Sequence, residues 1–375
     1  MSKGQVARQR RVLLFCDYYC SLLDSLRKTL EHVGLRDCVA VRKGKAVELQ
    51  SISNRVISLP LRVVSEEAPL RLGSIISVIA FMVMATFVGT IIVFKRRLDT
   101  IVAVYAFPQA LAAVIVGKLT RRKVIVLTDG GDIDIIMKNP FVRPIILACL
   151  RTAAAVTAVN TSKRDALLSL VVKTEICPII GVDISQFKYV PFGSKEKSTV
   201  LYVGRLSGEK CPDVLLNACG VLHRNGVRFR LCVVGDGPLV EEIEKSSVRL
   251  GLTDVVTMER YVAHSRVHGF FERSAIFVLP SRREGVSVAL LEAMSAGCLC
   301  IVSDIPDNRD LIQHMDNGLV FRVNDEEDLA KKISWALSKS PSALAPMTAK
   351  AREVVERDYS SKAVGSDLNL IISGL

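Results

Sequence analysis

Aromatic residues make up only 6% of the 375-residue sequence, with a single tryptophan, and the basic residues form no tract with aromatics interleaved for base stacking, so nucleic acid is not an expected partner. No Ser-His-Asp order and no nucleophile elbow occur, which removes the hydrolases. Ten cysteines include no C-x-x-C pair and no histidine at zinc spacing. Set within apolar runs, they read as small buried hydrophobes of a reducing compartment. Residues 1–10 are polar and basic rather than apolar, so no secretory leader is expected, and the protein is expected in the cytosol or on the cytosolic face of a membrane. Long polar tracts are missing too, which argues against disorder or fibrous repeats.

Acidic residues are scarce in one half only. Residues 1–190 carry 27 Lys and Arg against 14 Asp and Glu, whereas residues 191–375 carry 23 against 24. The basic half either faces an anionic partner, such as a phospholipid surface or a phosphorylated acceptor, or is simply a solubilising surface.

Short β-branched runs alternate with helical stretches along the chain, at Arg11–Cys16, Cys38–Val41, Arg55–Leu59, Thr100–Tyr105, Lys123–Thr128 and Ala154–Val159, then again from Thr199–Gly204 to Gly318–Phe321. Near-continuous Val/Ile/Leu runs are strands of parallel sheets covered on both faces. Two successive blocks of strand and helix predict an α/β protein with two doubly wound, Rossmann-like domains. The Pro- and Gly-bearing stretch from Gly181 to Lys197 marks the linker. The expected division is 1–190, 191–359 and a final helix, 360–375, able to pack back on the first domain.

Ser74–Phe94 holds no charge in 21 residues and is followed at once by Lys95, Arg96 and Arg97. As a helix it would be about 31 Å long, enough to cross a bilayer. Crossing would strand the first strands on the wrong side. The segment is therefore expected either to be a fully buried core helix or to dip its apolar surface into one leaflet, and the basic flank favours the leaflet.

The chemistry-bearing constellation starts at Glu284. A strand ending at Leu279-Pro280-Ser281 feeds a loop and then a helix that stops at Gly297, which puts Gly285, Val286 and Ser287 at a helix N-terminus where backbone N–H groups favour a phosphate. Glu284 and Glu292 bracket that site and suit hydroxyl-bearing partners, a ribose and a hexose. Alone, such a pair is more simply a helix cap and a solvated face residue.

Other segments join it in order: Val203-Gly204-Arg205-Leu206 with Glu209-Lys210, then Val234-Gly235-Asp236-Gly237-Pro238, Pro280-Ser281, the E-x7-E spacing and Asn317-Gly318. With these, Val200 to about Leu337 resembles family 4 of the glycosyltransferases, within the retaining GT-B group. The resemblance implies two domains facing across a cleft and transfer of a hexose from a nucleotide-diphosphate sugar to an acceptor hydroxyl, with no metal and no further cofactor. It implies that Arg205 and Lys210 grip the diphosphate, that Glu292 binds the ribose and Glu284 the transferred sugar, and that the amides of Val286 and Ser287 assist at the phosphate. Gly204, Gly235 and Gly237 would turn the backbone close to the nucleotide.

The first half departs from the family pattern. Asp129, in Thr128-Asp129-Gly130-Gly131-Asp132, stands where a histidine is usual and is expected to take over a polar contact near the reacting carbon. The first loop, Asp17-Tyr18-Tyr19-Cys20, lacks the paired glycines, and Arg260 replaces another glycine. Asp132 and Asp134 form a D-x-D that reads as a helix cap and a solvated residue rather than a metal site. His264, His268 and His314 have neither metal spacing nor a nucleophile partner. A lipid-linked or polyprenyl-phosphate acceptor is expected from the apolar segment, and an anionic membrane surface from the basic half. The rival reading is a non-catalytic, membrane-associated scaffold or nucleotide-sugar-binding protein, separated by a binding test without acceptor.

Overall fold

The computed structural model describes residues 12–16, 38–43, 56–59, 72–128, 140, 142–170, 172–178 and 181–375. The chain divides into two units, Met1–Gly181 with Ser361–Leu375, and Val182–Ser360. The break falls after Gly181, so that Val182 to Val190 belong to the second unit.

In the first unit the strands are β1 (Val12–Cys16), β2 (Cys38–Lys43), β3 (Val56–Leu59), β4 (Thr100–Val104), β5 (Lys123–Leu127), β6 (Ala155–Ala158) and β7 (Glu175–Ile176). They pair in parallel in the order β3-β2-β1-β4-β5-β6-β7. Burial of every position of β4 explains why it reads as an unbroken apolar run. The edge strand β7 is two exposed residues long and carries no such signal. The helix Ser361–Ser373 belongs to this unit, burying Val364, Leu368 and Ile372 while the Ser361 hydroxyl donates to Gly181 O at 3.0 Å.

The apolar segment is a helix, Leu72–Arg96, long and apolar enough to cross a membrane by length and composition. One face is buried at Phe81, Ala85, Ile92 and Val93, while the opposite face leaves Val83 and Phe87 about two-thirds exposed, at 65% and 67%. Among the described residues the helix is thus buried on one face only, which departs from the reading of it as a fully buried core helix. Gly89 sets the contact: a Cβ there would stand 2.7 Å from Phe15 Cζ and 3.3 Å from Val116 Cγ2.

The second unit holds β8 (Glu196–Val203), β9 (Arg230–Val234), β10 (Val256–Glu259), β11 (Ser274–Leu279), β12 (Leu299–Ser303) and β13 (Leu319–Phe321), parallel in the order β10-β9-β8-β11-β12-β13. Strands β11 and β12 are buried throughout. Edge strand β10 alternates instead between half-buried and exposed positions. Helix ends are satisfied locally: Asp325 accepts from Asp328 N at 2.8 Å, and the buried Lys195 ammonium donates to the carbonyls of Phe271 (2.6 Å) and Glu272 (3.2 Å), which end the helix His264–Arg273. Cys149, Cys177, Cys211, Cys219, Cys232, Cys298 and Cys300 are free, and burial raises the thiol pKa of each, that of Cys177 to about 12, as suits inert hydrophobes.

Strand β8 leads to β9 on one side, while β11 lies on its other side, so the sheet changes direction between β8 and β11. Open α/β sheets bind ligands at such a point, beyond the C-terminal strand ends. The loop after β8 is held there by the loop after β9. Leu206 N donates to Asp236 O at 2.9 Å and Leu239 N to Leu206 O at 3.0 Å. Gly235 and Gly237 have φ of +150° and +157°, and a Cβ would lie 1.9 Å from Gly204 O and 2.4 Å from Leu206 O respectively. These glycines are required for backbone clearance between two loops. Gly235→Ala is expected to cost on the order of 2–3 kcal/mol in denaturant unfolding. Gly208→Ala, where an added Cβ meets nothing within 4 Å, should stay within about 0.5 kcal/mol of the parent.

Candidate functional site

The loops that leave β8 and β11 carry most of the residues singled out from the sequence. Lys210 ends the first loop and Glu284 lies in the second. The Lys210 ammonium donates to both Glu284 carboxylate oxygens, at 2.7 and 2.6 Å, with the Glu284 side chain only 4% exposed. Taking a carboxylate so far from water costs several kcal/mol unless a cation compensates it. Lys210 supplies that cation while remaining partly open to solvent.

Further contacts stitch the same two loops together and tie the second to the segment after β13. Arg282 N donates to Glu209 O at 2.9 Å, the Arg283 guanidinium pairs with the Glu209 carboxylate, and Arg282 Nε donates to Asn324 Oδ1 at 2.7 Å. Beneath them the buried Tyr202 hydroxyl donates to Arg205 O at 2.8 Å. Its pKa is pushed up, first by burial and then by the charge of Glu284. The backbone under Arg205 is thus fixed, and its side chain is exposed.

Glu284 is followed by Gly285 and Val286, both half-buried, and by Ser287, whose Oγ accepts from Leu290 N at 3.4 Å and caps the helix Val288–Ser295. The start of that helix therefore lies next to the Lys210–Glu284 pair in sequence and in space, an arrangement suited to an anion.

Glu292 sits in the second turn of the helix, almost wholly buried, with His264 Nε2 2.7 Å from its Oε1. Burial raises the Glu292 pKa, and the hydrogen bond and charge of His264 oppose that rise. His264 begins the helix His264–Arg273 and packs against Phe187, ring centroids 5.9 Å apart. Arg352, from the helix Pro341–Val354, donates to Ser295 O at 2.8 Å and Phe187 O at 2.9 Å, fastening the end of the Glu292 helix to the segment that carries Phe187.

The sequence reading set the two glutamates against neutral hydroxyls, whereas the structure pairs one with Lys210 and the other with His264. His264 was passed over because nothing in its spacing connects it with Glu292: the two lie on different helices. Arg260 is exposed and donates to Glu244 Oε1 at 2.8 Å. Asp129, the first loop Asp17–Cys20 and the pair Asp132 and Asp134 lie outside the described residues. Among the described residues, no group of three or more His, Cys, Asp and Glu is placed to hold a metal ion.

Residues 186–354 match the family model of the Glycosyl transferases group 1. The alpha-D-kanosaminyltransferase of Streptomyces kanamyceticus is 28% identical over 180 residues, 47% of this chain and 46% of that protein. The amylovoran biosynthesis glycosyltransferase AmsK of Erwinia amylovora is 28% identical over 182 residues, 47% of this chain and 44% of that protein. The chain spans about half the length of these relatives. Among solved structures, Anabaena HepE in complex with UDP and glucose superposes with a TM-score of 0.79 at 14% identity, covering 98% of this chain and 100% of that one. The two parallel-sheet units therefore have the GT-B fold, and the second of them carries a glycosyl transferases group 1 domain.

Proposed function

We propose that the protein is a retaining hexosyltransferase of family 4, which moves the sugar of a nucleotide-diphosphate sugar to the hydroxyl of a lipid-linked acceptor at the cytosolic face of a membrane. The observation that carries this reading is the Lys210–Glu284 pair beside a helix N-terminus at the β8/β11 direction change, within a group 1 domain. HepE, which shares the fold, was solved with UDP and glucose, so UDP-glucose is the first donor to test.

In this reading Arg205 and Lys210 hold the diphosphate, with the amides of Gly285, Val286 and Ser287 on its phosphate. As the bond from the anomeric carbon to the diphosphate oxygen breaks, charge gathers on that oxygen, and fixed cations lower the barrier. Glu284 orients the transferred sugar and holds Lys210 in place until the donor arrives. Glu292 accepts from the ribose hydroxyls, and His264 positions its carboxylate. Gly204, Gly235 and Gly237 shape the loop that presents Arg205. Asp129 makes the polar contact near the reacting carbon. The acceptor oxygen bonds to that carbon on the face the diphosphate leaves, and its proton passes to the departing phosphate oxygen.

Arg205→Ala and Lys210→Ala should each lower kcat at least about 100-fold, read as sugar transfer from UDP-glucose and a panel of other donors, with the product anomer assigned by NMR. Full turnover in both variants would remove the assignment. Donor binding without transfer to any acceptor would point to the non-catalytic alternative. Lys210→Ala should also lower stability by about 1–3 kcal/mol, because Glu284 is left without its partner. Adding Glu284→Gln should restore the melting temperature but not turnover.

Donor affinity should depend on pH through Glu292, which accepts hydroxyl hydrogen bonds strongly only as a carboxylate. Burial raises its pKa, so affinity is full above that raised value and is lost as pH falls through it. His264→Phe removes a group that lowers the pKa and should move this acid limb to higher pH. Nucleotide titrations by calorimetry across pH test this, and an unmoved limb in the variant would dissociate His264 from Glu292.

A further inference from the structure

We propose that the exposed face of the helix Leu72–Arg96 is a docking surface for an anionic lipid bilayer, with the helix lying in the plane of one leaflet. This rests on the first unit alone and stands independently of the sugar chemistry.

Ile79, Val83, Phe87, Ile91 and Phe94 recur every three or four residues, so they share one side of the helix. All five are exposed. They form an apolar stripe about 23 Å long from Ile79 to Phe94, and the sequence from Ser74 to Phe94 contains no charge. Beside the stripe runs the helix Gln109–Thr120, which adds Leu119, 60% exposed. Between the two helices lies a groove of about 500 Å³ lined by Val83, Phe87, Ile91, Ile115 and Leu119, with Thr86 and Thr90 in its wall. Thr90 does not make it polar, because its hydroxyl donates to Thr86 O at 2.8 Å and is satisfied within the helix.

Charge identifies the occupant. Each helix follows one parallel strand and returns to the next, so both run against the strands and end beside the N-terminal ends of the neighbouring strands β4 and β5. That shared end carries six cations, Lys95, Arg97, Lys118, Arg121, Arg122 and Lys123, against the one carboxylate of Asp99, all exposed. An apolar stripe that ends in a basic rim matches acyl chains beneath negatively charged headgroups. A partner of water-soluble type would not require apolar side chains and cations to be segregated in this way. Crossing is a different matter: Phe81, Ala85, Ile92 and Val93 are locked into the core and cannot face lipid.

The test uses the full chain and vesicles of phosphatidylcholine, alone or mixed with phosphatidylglycerol. Flotation should recover the protein with the mixed vesicles, less at high salt, and little with phosphatidylcholine alone. Val83→Ser with Phe87→Ser should weaken partitioning at least tenfold without lowering the melting temperature. Phe87→Trp should shift its emission to the blue on vesicle addition and be quenched by brominated lipids, read against the single native Trp335 of the other unit. A folded protein that ignores both vesicle types overturns the proposal, as does binding that the double serine variant leaves intact. Concentration-dependent self-association without lipid, abolished by the same variant, would assign the face to a second copy instead.

Discussion

A carboxylate held out of water has to be compensated, and at Glu284 the compensation is Lys210. Much of the local structure serves that pairing. It needs the loop after β8 and the loop after β11 to meet, which the sheet order permits because the two strands are neighbours although far apart in sequence. It needs the first loop pinned, which Tyr202 does from below and the backbone of the β9 loop does from the side. A side chain at Gly235 would enter the space of the Gly204 carbonyl and push that loop away.

The strands of both sheets were legible because parallel strands covered on both faces need apolar residues at consecutive positions, which a sequence displays directly. Strands β1, β3, β4 and β5 each differ from their expected limits by one residue at an end, where fraying and capping decide the boundary. Strand β7 was illegible because two exposed residues at an edge bury nothing. In the candidate site the residue types were legible and their partners were not. Lys210 and Glu284 are distant in sequence, as are His264 and Glu292, and spacing along a chain says nothing of pairs created by strand order.

The apolar helix shows the complementary limit. Its composition announces a greasy helix but is silent on how many faces the rest of the unit covers. Gly89 holds the answer in a contact with Phe15 and Val116: close approach fixes one face on the sheet and the neighbouring helix, and the opposite face is left outward. The same residues could have filled a core had another layer packed over them.

The pairing of Lys210 with Glu284 also bears on how the site meets a ligand. A cation committed to a buried carboxylate is already oriented and partly desolvated, so less side-chain entropy is lost when it turns to a phosphate than when a free surface lysine is captured. The cost is that Glu284 must then find another partner, because a buried carboxylate left alone is worse than either pair. A ligand carrying an anion for Lys210 and hydroxyl donors for Glu284 satisfies both groups at once, whereas inorganic phosphate satisfies one and strands the other. Under the proposed function, selectivity for a sugar joined to a diphosphate over the diphosphate alone follows from the Lys210–Glu284 ion pair.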